Sequence, residues 1–198
     1  MAYALPYLCP NAVRGCQQYL DEMNSMKHQE ECIYRIVKCP DLVCANDVTF
    51  WKVLRHMDRS NHWAQNWANA YFGAFGIRLE CYLGLRYDCQ KPCRICFDGR
   101  IFVFNGFQSI ENETVYYWIQ LIGSPSEAKN YSYMFVLHGN RPNVYNVYYG
   151  EVNSINETSE DIVGLGKYFG IKIDALKAQF MNENRRFKFS IGIRKLTN

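Results

Sequence analysis

CPNAVRGCQQYLDEMNSMKHQEEC, residues 9–32, is the stretch on which the fold turns. Its spacing is Cys9-x6-Cys16-x11-His28-x3-Cys32. A cysteine pair alone is open to three readings: half of a metal site, half of a disulfide, or chance in a chain with nine cysteines. The next thirty residues narrow them, because the plan repeats as Cys39-x4-Cys44-x11-His56-x5-His62. Each unit is a cysteine pair, an eleven-residue gap and a closely spaced second pair. Disulfide scaffolds need no histidine, whereas zinc sites mix thiolates with imidazoles at such spacings. The pattern predicts two tetrahedral zinc ions, one held by Cys9, Cys16, His28 and Cys32, the other by Cys39, Cys44, His56 and His62. Four protein ligands per ion leave no position for a reacting water, so the zinc is expected to be structural.

Local signals agree. Gly15 and Asn46 are turn residues beside the first pair of each unit. His28 and Cys32 are i,i+4 and lie on one face of a helix read from DEMNSMKHQEEC. TFWKVLRHMDRSNH reads as the second helix, with Phe50, Val53 and Leu54 as a small apolar stripe. Neither unit can bury enough apolar surface to fold alone. Zinc binding, at about 10–16 kcal/mol per structural site, covers that shortfall.

The four cysteines Cys81, Cys89, Cys93 and Cys96 form a second cluster with no histidine nearby. Their surroundings alternate like strand-turn-strand, and the cluster is read as core packing rather than as a third metal or redox site. No run approaches eighteen apolar residues, so no membrane span is expected. MAYALPYLCP lacks the basic start of a secretory leader. A reducing compartment, cytoplasm or nucleus, follows as an expectation. The sequons at Asn112, Asn130 and Asn156 are then read as chance.

Beyond residue 67 short strand-like runs follow one another: YFGAFGIRLECYLG, RIFVFNGF, TVYYWIQLIG, YSYMFVLHG, NVYNVYYGEV and RRFKFSIGIRKL. Aromatic residues at 16% favour strands. Gly, Asn and Pro clusters separate most runs, the pattern of an antiparallel sandwich. KYFGIKIDALKAQFM reads as a strand entering a short helix, with Asp174 as its N-cap. Trp118, Ile119, Leu121 and Ile122 predict a strand buried on both faces. VYNVYYG is read as packing. Arg185, Arg186, Lys188, Arg194 and Lys195 make a basic run read as a solvated strand face, with Arg186, Lys188 and Ser190 alternating with Phe187 and Phe189. His138 is placed in a turn.

No catalytic residue is predicted: GxSxG, a phosphate-binding loop and a dinucleotide fingerprint are all missing. Residues 1–62 carry seven Lys/Arg and seven Asp/Glu, and a neutral finger pair argues against nucleic acid.

The whole pattern resembles the seven-in-absentia (SINA, Siah-type) family. The first finger's spacing is that of the family. The second resembles the family's second finger, with a closer cysteine pair and a final histidine one residue further on. QLIGSPSEAKNYSYMFVLHGNRPNV, residues 120–144, is similar to the family's QLIG-x4-A-x-N-[FY]-x-Y-x3-L-x-G. EVNSINET (151–158) and DALKAQFMNENRRFKFSIGI (174–193) resemble it too. The resemblance runs from about Cys9 to Ile193 and is poorest over 63–100.

It implies a mostly β chain: tandem SIAH-type zinc fingers over residues 1–64 and a TRAF-like antiparallel β-sandwich over 65–198, usually dimeric. In the family this part recruits protein substrates or adaptor peptides to a ubiquitin ligase. Transfer from the ubiquitin-conjugating enzyme depends on a RING domain N-terminal to the fingers. Eight residues precede Cys9, too few for a RING. Either a RING lies upstream of this stretch, or, as the alternative reading, the chain is a RING-less adaptor that joins complexes without ligase activity; a homo- or heterodimer with SINA proteins is expected in both. The family groove, which takes an extended Val-x-Pro peptide along a sheet edge, would be lined around Asn66 to Gln90. Its Trp-x-Met pattern is not found near Tyr87 to Gln90, and no groove residue is carried over.

Overall fold

A computed structural model of the chain describes residues 5–44, 46–64, 70–73, 76–84, 91–184 and 186–196, with backbone alone for 70–73 and 76–84. The N-terminal part holds β1 (Tyr7–Leu8), β2 (Tyr19–Leu20), α1 (Ser25–Glu31), β3 (Ile36–Lys38), β4 (Asp47–Thr49) and α2 (Val53–Arg59). β1 pairs with β2 and β3 with β4, giving two small hairpins, each followed by a short helix.

Then come β5 (Ala70–Gly73), β6 (Gly76–Gly84), β7 (Cys93–Phe97), β8 (Arg100–Ser109), β9 (Thr114–Leu121), α3 (Pro125–Ala128) and β10 (Tyr131–His138). They are followed by β11 (Tyr145–Glu151), β12 (Asn153–Ser154), α4 (Ser159–Gly164), β13 (Phe169–Lys172), α5 (Ile173–Gln179) and β14 (Arg186–Lys195). One sheet runs β11-β10-β14-β6-β5, and the other runs β12-β9-β8-β7 with β13 also on β9. Among the described residues all strand pairings are antiparallel except the two-residue match of β12 with β9.

The aromatic residues make the core. Phe104 from β8 and Tyr117 from β9 face Phe135 from β10 and Phe189 from β14 across the two sheets. Ring centroids lie 5.5 Å apart for Phe104–Tyr117, 5.3 Å for Phe104–Phe189 and 5.2 Å for Phe135–Phe189. These offset contacts between quadrupoles add to the area they bury. β9 is buried along its whole length, as its apolar run predicts. Its one amide, Gln120, is fully used: Oε1 accepts from Asn105 Nδ2 at 2.9 Å and Trp118 Nε1 at 3.2 Å, and Nε2 donates to the Glu157 carbonyl at 2.9 Å. Gly106 is required opposite Tyr117, because a Cβ there would lie 2.5 Å from that ring.

The structure differs from the sequence reading at several points. β11 is an edge strand, so only Tyr148 of VYNVYYG packs inward, while Tyr145 and Tyr149 are exposed. Alternation marks a strand but does not say whether its outer face is covered. Ser190 is buried rather than solvated, and its Oγ lies 2.7 Å from Nε2 of His138, which ends β10 instead of sitting in a turn. Arg185 lies outside the described residues. Asp174 sits in the first turn of α5, and Lys172 occupies the cap position. The carboxylate there still favours the helix dipole without capping it. Cys93 belongs to the core, but Cys96, three residues along β7, points the other way and is exposed. Cys89 lies outside the described residues, and Cys81 is placed in β6 by its backbone alone. Among the described residues no helix is long and apolar enough to cross a membrane.

Candidate metal centres

The first knuckle is built by a tight turn. Cys9 N–H donates to the Gln18 carbonyl at 2.9 Å, and Cys16 N–H to the Asn11 carbonyl at 3.2 Å. Gly15 closes the turn at φ +113°, a conformation that favours glycine. Asn11 N–H points at Cys9 Sγ, 3.3 Å away. α1 carries His28, and Cys32 follows its last turn with its N–H on the His28 carbonyl at 2.7 Å. Cys9 is 1% exposed, Cys16 7% and Cys32 4%, with His28 half-buried.

The four donor atoms of this cluster lie within 4.8 Å of one another. His28 Nε2 is 3.2 Å from Cys9 Sγ and 3.5 Å from Cys16 Sγ, and the Cys9 and Cys32 sulfurs are 3.9 Å apart. A tetrahedral zinc ion, with Zn–S near 2.3 Å and Zn–N near 2.0 Å, has S···S edges of about 3.8 Å and S···N edges of about 3.5 Å. The donor set fits such an ion.

The second knuckle uses Cys39, whose N–H donates to the Asn46 carbonyl at 2.8 Å, and Cys44, whose N–H donates to the Asp41 carbonyl at 3.0 Å. α2 presents His56, with Nε2 3.4 Å from Cys44 Sγ. His62 lies beyond the end of α2, past Asn61 at φ +51°, and its N–H is held by the Met57 carbonyl at 3.1 Å. Cys39, Cys44, His56 and His62 again bring four donor atoms within 4.8 Å. Burial pushes the Cys39 thiol up to about 12. A divalent ion would displace that proton, since the ligand is the thiolate. Burial, and then the neighbouring His62, lowers the pKa of His56, which favours the neutral imidazole that can ligate. Both sets of four predicted residues are therefore brought together, as tandem zinc fingers require.

Two features of the centres escape the ligand spacing. The second finger's core of Val37, Cys39, Val48, Val53 and Met57 is completed by Ile155, supplied by the sandwich. Arg35, in the link between the fingers, is 6% exposed and donates to Asn156 Oδ1 at 2.8 Å, the Cys32 carbonyl at 3.0 Å and the Gly123 carbonyl at 3.2 Å. Its guanidinium lies 3.7 Å from the centre of the Phe50 ring. Asn156, read above as a chance sequon, is a junction residue whose Nδ2 also reaches the Glu30 carbonyl at 3.0 Å.

The segment expected to line a peptide groove, Asn66 to Gln90, falls on positions outside the described residues or known by backbone alone. β5 and β6 do place part of it at a sheet edge. A family model for the Sina, TRAF-like domain matches residues 94–192, half of the 198-residue chain. No curated protein matches the chain.

Proposed function

This chain belongs to the Sina family, and from that premise we propose that it recruits protein substrates for SINA-type ubiquitin ligation. The observation that carries the reading is the TRAF-like match over residues 94–192 behind two complete Cys/His sets. In this reading residues 1–64 are the tandem fingers and residues 65–198 the substrate-binding and dimerisation sandwich. Cys9, Cys16, His28 and Cys32 hold one zinc ion; Cys39, Cys44, His56 and His62 hold the other. Bound zinc supplies cross-linking and charge neutralisation of the thiolates, not a reacting water, because each set already has four protein ligands. The chain's own work is binding: protein or adaptor peptides on the sandwich and a second SINA-type chain as dimer partner, with the ubiquitin-conjugating machinery engaged where a RING is supplied upstream or by a partner. It acts in the cytoplasm or nucleus, where its thiols stay reduced.

The test uses the chain as bait for proximity labelling in cells, followed by half-life measurement of the labelled proteins when the chain is overproduced and when it is depleted. The expected result is that a subset changes half-life at least twofold in a proteasome-dependent way. Labelled proteins with unchanged half-lives would overturn recruitment to ligation and favour the RING-less adaptor. Light scattering on the purified chain should give twice the 23.2 kDa chain mass.

A further inference from the structure

His28 and His56 ride on helices, which fix their rings. His62 does not: it follows the end of α2 and a left-handed Asn61, so its ring needs another support. Asp41 stands at that ring. It lies inside the second knuckle, between Cys39 and Cys44, and is 5% exposed. Its two oxygens face different donors. Oδ1 accepts the Val43 N–H at 3.0 Å, and Oδ2 lies 2.5 Å from His62 Nδ1. A neutral ring that donates Nδ1–H to the carboxylate carries on Nε2 the lone pair a metal ion takes. Nε2 is buried and has no hydrogen-bond partner. Such an orphaned acceptor is costly unless something electropositive meets it. Among the described residues neither His28 nor His56 has a carboxylate in ion-pair contact.

We propose that Asp41 is a positioning residue of the second metal centre, holding His62 in the tautomer and orientation that present Nε2 to the ion. The proposal rests on the zinc reading above. It follows the general behaviour of carboxylates behind ligating histidines, whose removal costs about 10–100-fold in metal affinity.

Asp41→Asn separates this role from a purely structural one. Asparagine has a single acceptor oxygen. If that oxygen keeps the Val43 N–H, the amide NH2 faces Nδ1, donates to it, and sends the ring proton to Nε2, where it blocks the ion. Asp41→Ala removes both the Val43 bond and the charge. The measurement is Zn(II) competition against a chromogenic chelator on the full chain, with Co(II) d–d spectra resolving the Cys3His site from the Cys2His2 site. The first site serves as an internal control of folding. Wild type should take up two equivalents. Both variants should lose about 10–100-fold in affinity at the second site only, with a weakened or shifted Cys2His2 cobalt band. An Asp41→Asn chain that binds like wild type, with only Asp41→Ala impaired, would overturn the proposal and leave the zinc reading standing. A wild-type chain that takes up no second equivalent would overturn both.

Discussion

Replacing Cys32 by serine is expected to unfold the first finger and remove one of two zinc ions. The reason is how little else holds that unit. Its core cluster consists of Cys9, Cys16, Cys32 and Leu20, with Tyr34 packed alongside, so Leu20 is the only fully buried side chain there that is not a ligand. Burying one leucine contributes about 1.5–3 kcal/mol, while ordering each residue costs about 1–2 kcal/mol of backbone entropy. A finger spanning more than twenty residues cannot close that gap with one leucine. A zinc ion, at about 10–16 kcal/mol, is the largest single stabilising contribution open to this finger. Elemental analysis should fall from about two zinc per chain to about one. Hydrogen exchange should show β1, β2 and α1 losing protection while β9 and β14 keep theirs. An unchanged melting curve with two zinc retained would contradict the assignment of Cys32.

Arg35→Ala is the second large effect, because one side chain ties three parts of the molecule together. Its guanidinium joins the carbonyl that ends the first finger, the loop after β9 and Asn156 after β12. Burial lowers its pKa to about 10, which leaves it charged at neutral pH, so each of these bonds is charge-assisted. Hydrogen bonds to charged groups contribute about 1.5–3 kcal/mol each, though bonds sharing one side chain do not add independently. Truncation should cost about 2–4 kcal/mol in denaturant unfolding and open the finger–sandwich junction to proteolysis. Arg35→Lys should recover little, since an ammonium cannot reproduce the planar fork or the stacking on Phe50. A loss below about 0.5 kcal/mol would mean the junction is held elsewhere.

The ligands were legible in the sequence because metal coordination forces residue types and spacings together within a short chain segment. The strands were legible because burial on one or both faces imposes its period on each run. What the sequence left hidden is contact at long range. Arg35 and Asn156 are 121 positions apart, and Ile155 fills a finger from inside the sandwich. Asp41 is hidden differently: nothing in its neighbours separates a carboxylate behind His62 from one in solvent. The helices α3 and α4, four and six residues long, are too short to print a helical period on the sequence. Their capping boxes, Ser124 with Glu127 and Thr158 with Asp161, were a readable signal. The exposed faces of β11 and the burial of Ser190 depend on what covers each strand, which alternation does not encode.

The central claim is that both centres are closed, structural zinc sites, leaving the function of the chain to binding. X-ray absorption at the zinc edge tests it most directly. Averaged over the Cys9, Cys16, His28, Cys32 set and the Cys39, Cys44, His56, His62 set, the shell should be five sulfurs and three nitrogens shared by two ions. Zn–S should be near 2.3 Å and Zn–N near 2.0 Å. A shell of light atoms with little sulfur, or one with fewer than four protein ligands and a bound water, would contradict it.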